Sequence, residues 1–280
     1  MSQAPFAVHV PACGSEDLAA NVAPDRLEVA APTKPALVFL HGIGGRASGW
    51  APVQQACAAA GHPSLAWDMP GYGRSPLIED CDFDALADAL AALLDAHGLA
   101  QAVLVGHSLG GMVSLQMWAR HPQRVAGLVL AASSPAFGHG SGEFQQAFVA
   151  QRLAPLEAGR SMAEVAAGLI PTMVAPGYQG PGLAQAQACM GSIRPAAYKA
   201  ALGALVRFEQ RAALPTITVP TLCLAGEHDR TAAPSVVQRM ADKIPHAEYD
   251  CLPGVGHLLT FEQPEAFAQR LLHFLHRSFA

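Results

Sequence analysis

Ser108 lies in the run Gly106, His107, Ser108, Leu109, Gly110, Gly111, directly after the apolar Val103, Leu104, Val105 and before a segment with helical apolar spacing that reaches Arg120. A G-x-S-x-G spacing between a strand and a helix presents a serine hydroxyl as a nucleophile on a sharp turn. Such a turn holds the serine in a strained backbone conformation, and the flanking glycines let strand and helix approach each other. The amide of Leu109 then opens the helix and is aimed where an oxyanion would develop, with the positive helix end behind it.

A hydroxyl is a weak nucleophile until a base takes its proton, and the base needs a carboxylate to orient it. Two later loops offer the pair. Gly226, Glu227, His228, Asp229 follow an apolar run, with Pro234 opening the next helix, and Pro253, Gly254, Val255, Gly256, His257 follow another. The order serine, acid, histidine is the one expected for this turn, so the reading is Ser108 as nucleophile, Asp229 as orienting acid and His257 as base. Glu227 is the rival acid and is assigned to the turn. His107 is read as a structural neighbour of the serine. The bland alternatives are a helix cap or loop ion pair for Asp229 and a surface loop histidine for His257.

His41, Gly42, Ile43, Gly44, Gly45 follow the apolar run that ends at Leu40, and the amide of Ile43 is the expected second oxyanion donor. The same segment, extended to Ala47, also matches the G-x-G-x-x-A dinucleotide fingerprint, with Asp68 at the end of the next strand. Ser48 and Gly49 delay the helix, however, and remove the tight entry that a pyrophosphate needs. Asp68 is better used within the turn Met69 to Ser75, its carboxylate accepting backbone amides. No cofactor and no metal are expected. The nearest helical histidine pair, His273 and His276, has no carboxylate beside it.

These loops need a frame. Short apolar runs alternate with helix-period segments, the pattern of a mostly parallel sheet with helices on both faces. Strands are expected at 26–30, 36–41, 64–68, 102–106, 125–132, 218–225 and 247–252, and helices at 49–60, 82–97, 109–121, 234–243 and 264–279. The stretch 134–214 interrupts this alternation with helical spacing broken by glycine and proline. It is read as a helical cap inserted between core parts 1–133 and 215–280. Gly138, Gly140 and Gly142, and the cluster Pro176 to Gly182, are its expected joints. Phe137, Phe144, Phe148, Leu153, Leu169, Ile170, Met173, Met190 and Ile193 are there either to line a pocket or to form the cap's own core. Arg194 is a candidate for a substrate carboxylate, against the simpler reading of a solvated arginine.

With 280 residues, 51% hydrophobic and 14% charged, the chain can bury a large core. A formal net charge of −5 without a basic run argues against nucleic acid or an anionic membrane as partner. The N-terminus has neither the basic start nor the apolar run of a signal peptide, and no stretch is long enough to span a bilayer. Six scattered cysteines without C-x-x-C read as free thiols of a cytoplasmic protein. The oligomeric state is not legible.

Taken together, HGIGG at His41 to Gly45, WDMPGYGRS at Trp67 to Ser75, GHSLGG at Gly106 to Gly111, GEHD ending at Asp229 and PGVGH ending at His257 resemble the α/β-hydrolase superfamily from about Arg26 to the end of the chain. Within it, the chain is similar to small capped enzymes acting on carboxylic esters, enol-lactones or the carbon–carbon bonds of ring-cleavage products. Serine at position 108, where the epoxide hydrolases and haloalkane dehalogenases of that family hold aspartate, sets those two chemistries aside. The resemblance implies hydrolysis of a small ester or lactone, with carbon–carbon bond hydrolysis as the alternative. Cofactor-independent oxygenation and a non-catalytic ligand-binding role follow behind.

Overall fold

The computed structural model describes residues 8–9, 34–138 and 142–279. Its strands are β1 (Val8–His9), β2 (Leu37–Leu40), β3 (Ser64–Trp67), β4 (Ala102–His107), β5 (Val125–Ala131), β6 (Thr221–Gly226) and β7 (Glu248–Leu252). They form one sheet in the order β1-β3-β2-β4-β5-β6-β7. All neighbours run parallel except β1, which pairs antiparallel with β3. The strand expected at 26–30 lies outside the described residues, as does Gly140. β6 begins later than its apolar run because Pro220 has no N–H to enter the ladder, although its carbonyl still accepts the Leu128 amide at 2.9 Å.

Both faces of the sheet are apolar and both are covered, which is why the strands read as continuous runs. On one face Val38, Leu40, Leu104, Leu128, Leu130 and Cys223 join α2 (Phe83–Ala96), α3 (Leu109–Arg120) and α8 (Pro234–Ala241). On the other, Leu37, Phe39, Val103, Val105, Val129 and Leu224 pack on α1 (Ala51–Ala59) and α10 (Pro264–Phe279). Alternate residues of one strand feed opposite cores, as the two-residue period of a strand requires. A short helix, α9 (Leu259–Glu262), leads into α10.

Between β5 and β6 the chain leaves the sheet and forms α4 (Glu143–Glu157), α5 (Met162–Leu169), α6 (Gly182–Gly191) and α7 (Pro195–Leu205). An isolated bridge between Ala136 and Glu209 ties the two ends of this excursion. Hydrogen bonds from Phe137 N to Phe208 O at 3.1 Å and from Gln210 N to Pro135 O at 2.7 Å close its base. Ser161 starts α5 with a reciprocal capping box to Glu164. No described helix is long and apolar enough to cross a membrane.

Strands β3 and β4 lie on opposite sides of β2. The loops that leave β2 and β4 therefore part and open a crevice at the carboxyl edge of the sheet, the usual place for a ligand in this class of sheet. The turn after β4 depends on two glycines. A Cβ at Gly106 would overlap the backbone of Gly110, and one at Gly110 would overlap the carbonyl oxygen of Leu40. Because backbone cannot swing aside as a side chain can, Gly110→Ala is expected to cost about 3 kcal/mol or more of unfolding free energy. Gly203→Ala, in α7 with nothing near the added methyl, is expected to stabilise by about 0.5–1 kcal/mol. Denaturant titration of both variants checks the contrast.

Candidate active site

Ser108 stands immediately after β4 with φ 52° and ψ −115°, a positive φ that a residue with a Cβ adopts only when its surroundings enforce it. Here Ser108 N donates to Ala131 O at 2.9 Å, while Ser108 O accepts from Ser133 Oγ at 2.8 Å and from the amide of Gly111 at 3.0 Å. The sheet holds one side of the residue and the first turn of α3 holds the other. The hydroxyl faces His257, with Oγ 3.0 Å from Nε2.

His257, on the loop after β7, donates from Nδ1 to Asp229 Oδ2 at 2.8 Å. Its backbone is fixed as well. The amide donates to Met173 O at 2.7 Å, and the carbonyl accepts from His107 Nε2 at 2.7 Å. Asp229, on the loop after β6, is buried and accepts at Oδ1 from the amides of Thr231 at 2.7 Å and Ala232 at 2.9 Å. Burial by itself would raise its carboxyl. The charge and hydrogen bond of His257 and the two amides outweigh that and hold it below the ordinary carboxylate range. The three expected residues thus meet in one hydrogen-bonded line.

The neighbouring histidines are neutral. Burial, reinforced by the proximity of His257, pushes His107 down to about 3, and burial also lowers His41. His107 serves the His257 loop and does not reach the serine as a base. Glu227, the rival acid, is exposed and accepts the Gly254 amide at 2.7 Å, bracing the turn that carries His257. Asp68 accepts the Ala47 amide at 2.9 Å and Arg46 Nη2 at 3.2 Å, so its carboxylate anchors the loop after β2.

That loop has a defined orientation. The carbonyl of Gly42 accepts from Gly45 N at 2.9 Å and from His41 Nδ1 at 2.8 Å, the latter a donor because Nε2 receives the Met69 amide at 3.1 Å. Tyr72 donates from its hydroxyl to Ile43 O at 2.9 Å. In a trans peptide the N–H lies opposite the carbonyl. Pinning Gly42 O therefore turns the Ile43 N–H the other way, just as pinning Ser108 O turns the Leu109 N–H.

Gly42, Ile43, Ser108 and His257 open into a cavity of about 900 Å³, a volume that includes open solvent at its mouth. Of the expected pocket residues, Phe137, Met173 and Met190 line it, together with Phe148, Leu169 and Ile170. Leu153 and Ile193 belong instead to the packed core. Two expectations are corrected. Phe144 is 57% exposed and packs its ring 5.6 Å from Phe137; it stands one turn before Phe148, in the first turn of α4, and is not among the residues lining the cavity. Arg194 does not reach the cavity. It donates to Gly71 O at 2.7 Å and Ser75 O at 2.6 Å, fastening α7 to the loop after β3.

Two residues escaped the sequence reading. Glu262 is buried and accepts amides of Gly256 at 3.0 Å, Leu258 at 3.1 Å and Ala175 at 2.7 Å. It joins the His257 loop to the helical excursion, yet in sequence it is an ordinary glutamate beside Gln263 and Pro264. Arg152 lines the cavity from α4. Its only sequence signal is a position four residues after Phe148, which places both on one helix face.

Comparison with known proteins agrees with this architecture. Residues 35–264 match the family model of the alpha/beta hydrolase fold. A protein of Variovorax paradoxus (strain S110), provisionally named carbamate hydrolase RutD, is 35% identical over 252 residues, covering 86% of this chain and 92% of that one. The pimeloyl-(acyl-carrier protein) methyl ester esterase of Xanthomonas campestris pv. campestris (strain B100) is 30% identical over 249 residues, covering 86% and 95%. Among solved structures, a thermophilic esterase from Thermogutta terrifontis superposes with a TM-score of 0.80 at 24% identity, covering 88% of this chain and 91% of that one. The chain belongs to the α/β-hydrolase superfamily.

Proposed function

We propose that the protein is a serine hydrolase that cleaves a carboxylic ester or lactone of a small, largely apolar or aromatic substrate through an acyl-enzyme on Ser108. The observation that carries this reading is the unbroken line from Ser108 Oγ through the His257 ring to a buried Asp229, with spacings of 3.0 and 2.8 Å. His257 Nε2 takes the serine proton as Oγ attacks the carbonyl carbon. The N–H groups of Ile43 and Leu109 stabilise the oxyanion. The imidazolium, steadied by Asp229, returns the proton to the leaving alkoxide, and water then repeats the sequence on the acyl-enzyme.

The segment 134–214 acts in this proposal as a cap, supported by the cavity residues it supplies, Phe137, Phe148, Leu169, Ile170, Met173 and Met190. An apolar wall of this extent suits an acyl chain or an aromatic ring. The esterase relative supports the ester reading. The relative with the carbamate hydrolase name favours a second one, since the same nucleophile and oxyanion donors serve a carbamate carbonyl, but the apolar lining fits a small polar carbamate less well. A cytoplasmic setting is part of the proposal, supported by the free thiols of the five described cysteines.

Turnover of short p-nitrophenyl esters and labelling by a fluorophosphonate probe test the reading. Ser108→Ala and His257→Ala are each expected to lower kcat at least about 10³-fold with little change in melting temperature, and Ser108→Ala to abolish the label. Full activity in either variant overturns the assignment. The role of His107 as a neutral prop for His257 has its own test. Between about pH 6.5 and pH 3 an unfolded chain carries a proton on residue 107 that the folded chain excludes, so stability falls as pH falls. The loss of unfolding free energy between pH 7 and pH 5 is expected to be about 2 kcal/mol smaller in His107→Gln than in the parent. Chemical denaturation at the two pH values measures it.

A further inference from the structure

Arg152 lies at the cavity wall, partly buried, among apolar side chains. Among the other described arginines, Arg46, Arg120, Arg124, Arg211, Arg270 and Arg277 each meet a carboxylate and Arg194 meets two carbonyls, while Arg74, Arg160, Arg207, Arg230 and Arg239 are exposed to solvent. The interactions of Arg152 with described residues are of another kind. Its guanidinium carbon stands 5.0 Å from the centroid of the Phe148 ring. Tyr198, on α7, is buried and lines the same cavity. Among the described residues no acidic side chain lines the cavity, and Arg152 is the one lysine or arginine that does.

A guanidinium removed from water without an anion is unfavourable, and its planar fork of donors matches a carboxylate. Burial depresses its pKa, but an arginine stays charged at neutral pH. Burial also raises the Tyr198 phenol, which leaves it a neutral O–H donor. Among the described residues the cavity therefore carries one positive charge, from Arg152, and the Tyr198 hydroxyl beside the nucleophile and its two oxyanion amides. A single positive charge in apolar surroundings suits a monoanion. A phosphate dianion would call for more donors and more charge.

We propose that the substrate is an ester or lactone carrying a free carboxylate, held by the Arg152 guanidinium and the Tyr198 hydroxyl while its scissile carbonyl sits at Ser108. This rests on the serine hydrolase reading and narrows it to half-esters and carboxylated lactones. Arg152 and Tyr198 are specificity residues in it. They take no part in bond making, and their loss acts mainly on KM.

The test uses two pairs of esters, each pair sharing its acyl chain length and differing in the presence of a carboxylate. p-Nitrophenyl hemiadipate against p-nitrophenyl hexanoate places the anion on the acyl side; 4-carboxyphenyl against phenyl hexanoate places it on the alcohol side. In Arg152→Met, the anionic-to-neutral ratio of kcat/KM is expected to fall about 10- to 100-fold for one pair, chiefly through KM. Arg152→Lys recovers part of the loss, and Tyr198→Phe loses several-fold. Ratios that stay within twofold of the parent in both pairs overturn the proposal and leave Arg152 a packing residue on Phe148. A binding measurement separates this from failure of the serine mechanism. Calorimetry of monoethyl adipate with Ser108→Ala needs no turnover, and adding Arg152→Met must weaken binding at least tenfold. Equal affinity in the two proteins, or no binding to Ser108→Ala, overturns the proposal even if esters are hydrolysed. Weakened binding with no ester turnover and no fluorophosphonate label supports the anion site and overturns the hydrolase reading alone.

Discussion

The imidazole of His257 is held through both ring nitrogens and through both backbone groups of its own residue, by Ser108, Asp229, Met173 and His107. Those partners come from the ends of β4 and β6 and from the helical excursion, so the position of one ring requires the sheet register, the loop lengths and the excursion to agree. Each bond alone is worth little net free energy. Breaking one inside a buried site leaves an unsatisfied group and costs more than the bond contributes. That asymmetry makes the geometry all-or-none.

Charge in the site is sparse and segregated. His41 and His107 are kept neutral by burial, and Asp229 is kept ionised by the groups that point at it. One negative charge therefore lies behind the His257 ring, and a guanidinium lies at the apolar wall of the cavity. In a cavity with few competing dipoles, each of these acts with less screening than it would at the surface. The neutrality of His107 also decides its use. As a neutral donor it supports the carbonyl of residue 257.

The helical excursion does two jobs with one set of residues. Phe137, Phe148, Leu169, Ile170, Met173 and Met190 face the cavity, while Leu153 and Ile193 help pack the core. Its attachment is mainly by backbone: Met173 O to His257, Ala175 N to Glu262, and Phe137 and Gln210 at its base. A segment anchored through its backbone can vary its side chains while keeping its ties to the loop that carries the histidine.

The local motifs were readable because their requirements are local. A strained serine between glycines has few alternatives at the junction of β4 and α3, and apolar alternation marks the central strands because both sheet faces are buried. What a side chain does across the fold was not readable. Arg194 and Arg152 look alike in sequence, yet one meets the carbonyls of Gly71 and Ser75 and the other faces the cavity. Glu262 resembles any helix-surface glutamate until three backbone amides converge on it. The two-residue β1 has too short a pattern to announce itself. Sequence alone determined the fold class and the strand–turn–helix placement of the serine, since these follow from backbone conformation and periodicity. Only the tertiary structure decided which polar groups are satisfied by protein and which face the cavity, because that depends on partners brought together from distant segments, as in the contact of Arg194 with Gly71, 123 positions away.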